Sequence, residues 1–307
     1  MSRPLRSVFI LGVAALGTAL AAVGGWHYAR ASAPVPGPVI LISIDTLRAD
    51  HLPAYGYRAI KTPAIDSLAS DGVVFERAYA HSTQTLPSHA AMLTGRLPFE
   101  NGVRDDDGAV LPVDERPLAL MLRDRGYATG GIVSTALLRR ATGLARGFDF
   151  FDDDVPAGDG DLPPALRRRS GAASEDIAER WLSGLGTARL FLFLQIDEPR
   201  APRTPSYDEA IAAADAVVGR FVRYLKAHQL YDQSTILLVS DHGEGLGDHG
   251  EQEHGLFIYN EAIHVPLIVK PASGGGAGRR VGDVVQLADV APTVLDLVKA
   301  PQPGNLR

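Results

Sequence analysis

Cysteine is absent from the 307 residues. That excludes disulfides, thiolate zinc sites and a cysteine nucleophile. A basic stripe is missing as well: 30 Lys and Arg stand against 36 Asp and Glu, for a net charge of −6. This balance argues against a nucleic-acid protein and leaves small molecules and membrane components as the expected partners. No internal repeat is visible. With 46 % apolar residues, a chain of this length can bury a sizeable core in one large domain.

What is present begins with a long apolar run, Val8 to Trp26, preceded by Arg3 and Arg6. It exceeds the usual signal-peptide core and is about long enough to cross a bilayer. The two arginines would stay cytoplasmic and place the rest of the chain outside. Ala31-Ser32-Ala33 offers a cleavage site, but it lies beyond His27 and Arg30. The expectation is therefore an uncleaved signal-anchor. Residues 1–33 are read as membrane segment and linker, and 34–307 as a folded domain in the periplasm or at the cell exterior.

Three apolar runs of strand length each end in a polar cluster. Pro38–Ile44 runs into Asp45, Leu190–Ile196 into Asp197-Glu198-Pro199-Arg200, and Thr235–Ser240 into Asp241-His242-Gly243-Glu244. Continuous β-branched and apolar runs fit strands covered on both faces. Between them, Ile211, Ala214, Val218, Phe221, Val222 and Leu225 fall on one helical face. The fold predicted is α/β, with a mostly parallel central sheet flanked by helices. Ligands of such sheets gather beyond the carboxyl ends of the strands, where these polar clusters lie. Phe151–Arg169 lacks periodicity and reads as a solvated loop, with a lid over the site as the functional alternative.

One further stretch is distinctive: Thr85-Leu-Pro-Ser-His89, followed by Met92-Leu-Thr-Gly-Arg96. Proline near a helix start and Gly95 at a C-terminal cap predict a short helix beginning near Pro87. Thr85 then sits just ahead of it, as a cap or as a nucleophile beside N–H groups that favour negative charge.

This stretch resembles the sulfatase signature Cys/Ser-x-Pro-Ser-Arg of the alkaline phosphatase superfamily, and the resemblance extends from about Pro38 to Asn305. Thr85 replaces the formylglycine precursor and His89 the arginine. By this resemblance Asp45, Thr85, Asp241 and His242 form the ligand set of one divalent metal ion. Three oxygens and one nitrogen suit zinc or manganese better than calcium. The resemblance makes Thr85 the nucleophile and His254 the group that contacts the substrate anion or protonates the leaving group. Arg200 stands at a family histidine and is a candidate phosphate clamp, with His89 and His249 as further candidates for substrate binding. The family's sulfate-binding Lys and His are absent from Ser134-Thr135-Ala136-Leu137, and its C-terminal subdomain is reduced or missing.

The function implied is a metal-dependent hydrolase or phosphotransferase cleaving a phosphate ester or diester through Thr85. Its substrate would be a small-molecule, lipid-headgroup or glycan ester. The alternatives are a sulfuric ester hydrolase working without formylglycine and an inactive anion- or glycan-binding family member.

Overall fold

The computed structural model describes residues 37–306, apart from 157–162, 164, 165, 186–188, 200–205 and 305. The chain divides into two units, Met1–Pro36 and Gly37–Arg307, and the described residues all belong to the second. The expected membrane segment and Arg200 lie outside the described residues. Among those described, no helix is long and apolar enough to cross a membrane.

In chain order the main elements are β1 (Val39–Ile44), α1 (Pro63–Asp71), β2 (Val73–Tyr79), α2 (Thr85–Thr94), α3 (Leu118–Arg123), β3 (Ala128–Ile132) and β4 (Phe150–Asp152). They continue with α4 (Gly171–Ser183), β5 (Leu190–Ile196), α5 (Tyr207–Ala227), β6 (Thr235–Ser240), β7 (His264–Lys270), β8 (Arg279–Gln286) and α6 (Val290–Leu297). The strands form one sheet in the order β4-β3-β5-β1-β6-β7-β2-β8. Only β7 runs against its neighbours. The other strands therefore deliver their carboxyl ends to one edge.

Alternation along β1 explains why its sequence reads as a continuous apolar run. Val39 and Leu41 enter a core layer shared with α2, α3 and α6, whereas Ile40, Ile42 and Ile44 enter a second layer shared with α1, α4 and α5. All six residues are buried, as a strand sandwiched between helical layers requires.

Helix α2 begins two residues earlier than the proline predicts. Gln84 is the N-cap in extended conformation and Thr85 is already the first helical residue, so Thr85 is not the cap. Pro87 is tolerated there because the first-turn N–H groups have no helical partner anyway. The helix ends at Gly95, whose φ of 69° is the left-handed conformation that favours glycine, and whose N–H donates to Ala91 O at 2.9 Å.

Candidate active site

Four chain segments meet at the sheet edge where β1 and β6 end. Asp45 follows β1, Asp241 and His242 follow β6, Thr85 opens α2, and Asp106 arrives on the loop after it. Because β1 and β6 are adjacent and parallel with Ile44 opposite Ser240, their next residues emerge side by side. Asp45, Asp241 and His242 each point a ligand atom into one spot, all within 4.8 Å of one another and all buried.

The hydrogen bonds fix the tautomer of His242. Its Nδ1 lies 2.9 Å from Gly243 O, and a carbonyl only accepts, so Nδ1 carries a hydrogen and, in the neutral ring, Nε2 presents a lone pair. That lone pair faces Thr85 Oγ1 at 3.3 Å, Asp241 Oδ2 at 3.4 Å and Asp45 Oδ1 at 3.8 Å. Asp241 Oδ1 accepts from the backbone N–H of Thr46 and His242, but Oδ2 is buried and receives no hydrogen bond among the described residues. Burial, then the neighbouring Asp45 charge, pushes the Asp241 carboxyl well above its ordinary range.

Lone pairs converging in a buried site, with a carbonyl behind the histidine, are what a cation relieves. The donor set fits a divalent ion held by Asp45, Asp241 and His242, with the Thr85 hydroxyl beside them.

His89 lies beneath this cluster on α2 and is fully buried. Its Nδ1 donates to Thr85 O at 2.8 Å, its Nε2 accepts from Ser43 Oγ at 2.9 Å, and its ring meets Phe193 edge-on. Burial lowers its pKa to about 4, leaving it neutral at physiological pH. Both ring nitrogens are engaged with the protein, so neither is offered to a substrate oxygen in this arrangement.

His254 packs on His242 with ring centroids 4.4 Å apart, and its Nδ1 lies 2.9 Å from Glu244 Oε1. His249 is placed differently. It is 54 % exposed, bonded to Glu261 and stacked on Tyr259. Glu198, at the end of β5, turns away to accept the Gly171 N–H at the start of α4.

Several residues of the cluster escape a reading by motif. Asp106 Oδ1 accepts the Leu86 N–H at 2.7 Å, while the Asp106 N–H donates to Gln84 Oε1 at 3.0 Å. A carboxylate of the chain itself therefore lies at the helix N-terminus whose N–H groups favour negative charge. Burial raises the Asp106 pKa, and the Leu86 N–H opposes that shift. Ser43 and Gln195 are paired across β1 and β5, and Gln195 Nε2 donates to Asp45 Oδ2 at 3.2 Å. Each is a lone polar residue in an apolar strand, and that was the sequence signal available.

The family model for sulfatases matches residues 38–183 and 188–300. The chain belongs to the sulfatase family. That places it in the alkaline phosphatase superfamily. It is 26 % identical to the mouse (Mus musculus) steryl-sulfatase over 396 aligned positions, covering 89 % of this chain and 64 % of that protein. The chain thus spans less than two thirds of this relative's length.

Among solved structures, the phosphonate monoester hydrolase of Agrobacterium radiobacter superposes with a TM-score of 0.70 at 22 % identity, covering 88 % of this chain and 79 % of that one. A putative sulfatase from Bacteroides thetaiotaomicron gives 0.75 at 19 % identity, covering 88 % and 72 %. The mostly parallel α/β sheet is thus the sulfatase fold, as the sequence predicted. Within that fold this sulfatase-family chain carries threonine and histidine at positions 85 and 89.

Proposed function

We propose that the chain is a metal-dependent ester hydrolase or phosphotransferase in which Thr85 Oγ1 attacks the phosphorus of a phosphate ester or diester. The observation that carries this reading is the Thr85 hydroxyl 3.3 Å from Nε2 of His242, buried beside the Asp45–Asp241–His242 cluster. A zinc or manganese ion held by these residues would lower the pKa of a nearby hydroxyl and offset charge on the transferring group.

The remaining steps belong to the chain's own side chains. The Thr85 oxygen forms a bond to phosphorus as the bond to the leaving oxygen breaks, and the hydroxyl proton passes to water. His254 supplies a proton to the departing oxygen. Water or an acceptor alcohol then attacks the phospho-threonine, releasing Thr85 and taking the phosphoryl group. Arg200 is proposed as a clamp on the non-reacting oxygens, and His89 as the group that fixes the first turn of α2 by holding the Thr85 carbonyl.

Metal content measured alongside turnover of aryl phosphate, phosphodiester, phosphonate monoester and sulfate ester tests this, in wild type and Thr85→Ala. Bound metal, with phosphoryl turnover lost in the variant, supports it. Turnover of sulfate ester alone would instead favour the sulfuric ester hydrolase that the family match supports. Retained metal with no turnover of any ester would mark a binding protein.

The basic-flanked apolar run Val8–Trp26 supports membrane anchoring, with the site outside the cytoplasm and lipid-headgroup or glycan esters in reach. Membrane fractionation with and without residues 1–33 tests the anchor.

A further inference from the structure

Glu244 is completely buried and has no part in the steps above. Its backbone is fixed: the Gly243 and Glu244 N–H groups donate to Ala262 O and Glu261 O at 2.8 and 3.1 Å, and Arg48 Nη1 donates to the Glu244 carbonyl at 3.2 Å. Gly243 permits this close approach, since a Cβ there would lie 1.9 Å from Glu261 O. The carboxylate makes a 2.9 Å contact from Oε1 to His254 Nδ1, while Oε2 is buried and accepts no hydrogen bond among the described residues. Burying a carboxylate with one oxygen unsatisfied opposes folding. Plain structural duty would be served better by a neutral side chain.

We infer that Glu244 is a positioning residue for His254. A carboxylate oxygen accepts here, so it holds a hydrogen on His254 Nδ1 and leaves Nε2 as the nitrogen that hands its proton to the leaving oxygen. It also holds the imidazole against the His242 ring, 4.4 Å away between centroids. Without that bond the ring can rotate about its side-chain torsions, and the Nε2 proton is no longer aimed at the leaving oxygen. The inference rests on the proposed role of His254 and adds the residue that makes it possible.

Two measurements test it on the metal-loaded full-length chain. The first reads kcat and KM for a 4-nitrophenyl and a simple alkyl ester of the same phosphoryl group. Glu244→Ala should lower kcat for the alkyl ester about 10- to 100-fold, the usual loss when an outer partner is removed. The nitrophenyl ester, whose leaving group needs no proton, should be less affected, and KM and metal content should hold. Glu244→Gln, which can still accept from Nδ1, should recover most of the loss. His254→Ala combined with Glu244→Ala should be no worse than His254→Ala alone. Equal losses for both esters, multiplying effects in the double variant, or lost metal would overturn the inference. If Glu244→Ala does not fold, Glu244→Asp, one methylene shorter, takes its place.

The second measurement is nitrogen-15 NMR of the histidine side chains, which needs no turnover. His254 Nδ1 should carry a hydrogen in wild type, and its signal should shift in the variant. A His254 Nδ1 without hydrogen in wild type, or an unchanged signal in the variant, would sink the inference. Failure of wild type to turn over any ester would instead strike the functional reading, with the NMR result still deciding this one.

Discussion

Ser43 Oγ lies 2.9 Å from His89 Nε2, tying the penultimate residue of β1 to the middle of α2 through two fully buried side chains. Since Asp45 follows Ser43 by two residues and Thr85 precedes His89 by one helical turn, this bond helps set the spacing between the proposed ligand and the proposed nucleophile. Ser43→Ala leaves His89 Nε2 buried without a donor. It should cost about 1–3 kcal/mol, read by denaturant unfolding, and should lower kcat more than it raises KM.

Thr85→Ala should remove turnover by roughly a thousandfold or more while leaving metal content near wild type, because Asp45, Asp241 and His242 remain. Thr85→Ser retains the hydroxyl and should keep part of the rate. Steady-state kinetics alongside metal analysis reads both. A Thr85→Ala variant as fast as wild type would end the nucleophile assignment.

Asp241→Asn should act with opposite signs in the two states of the protein. Without metal, the substitution relieves repulsion from Asp45, the second cause after burial of the raised Asp241 pKa, and the melting temperature should rise. With zinc or manganese in excess, wild type should gain stability that the variant lacks. Thermal melts with and without chelator give the comparison.

Asp106→Ala removes the side chain that accepts from the Leu86 N–H at 2.7 Å. Loss of this cap should cost about 0.5–2 kcal/mol. The same change frees the helix N-terminus for an external anion, so inorganic phosphate should inhibit the variant more strongly than wild type. Unchanged inhibition would show that this N–H group does not face the ligand.

Glu175, fully buried on α4, has its pKa raised to about 7 by burial and by the neighbouring Glu179, against the pull of Arg220. For an acid whose folded pKa is raised, the contribution to stability is complete below the unfolded value near 4.5 and is lost as pH rises through about 7. Wild type should therefore lose stability across that window relative to Glu175→Gln. Melting temperatures from pH 4.5 to 7.5 would show it, and parallel curves would refute it.

The strands that carry the site were legible because burial on both faces leaves an unbroken apolar run, and the acid after each run marks its carboxyl end. Two edge strands were not. β4 spans only Phe150–Asp152 and overlaps the start of what reads as a solvated loop from Phe151, and β8 has only exposed or half-buried residues, with no apolar alternation to betray it. Helix α4 begins at Gly171 with Ser170 as cap, while Ser174, a residue of the same type, turns its hydroxyl to Ser134 and Arg169. A capping residue type says nothing of which serine caps. Asp45, Thr85, Asp241 and His242 could be placed from motif resemblance, whereas Asp106 could not. Its role depends on a loop returning to the helix start, a contact that no local pattern encodes.

The reversed direction of β7 has one more consequence. The chain leaves the sheet at Ser240 and re-enters beside it at His264, so both ends of the intervening excursion are anchored on neighbouring strands at the same rim. Asp241, His242 and Glu244 hug the sheet at its root. Its outer reach presents Leu256, Phe257, Ile258 and Tyr259 to solvent, with backbone N–H groups of Leu256 and Phe257 tethered to Glu251. Such an excursion behaves as an exchangeable cassette: its tip can be lengthened or rewritten to suit a new substrate while the residues at its base stay in register.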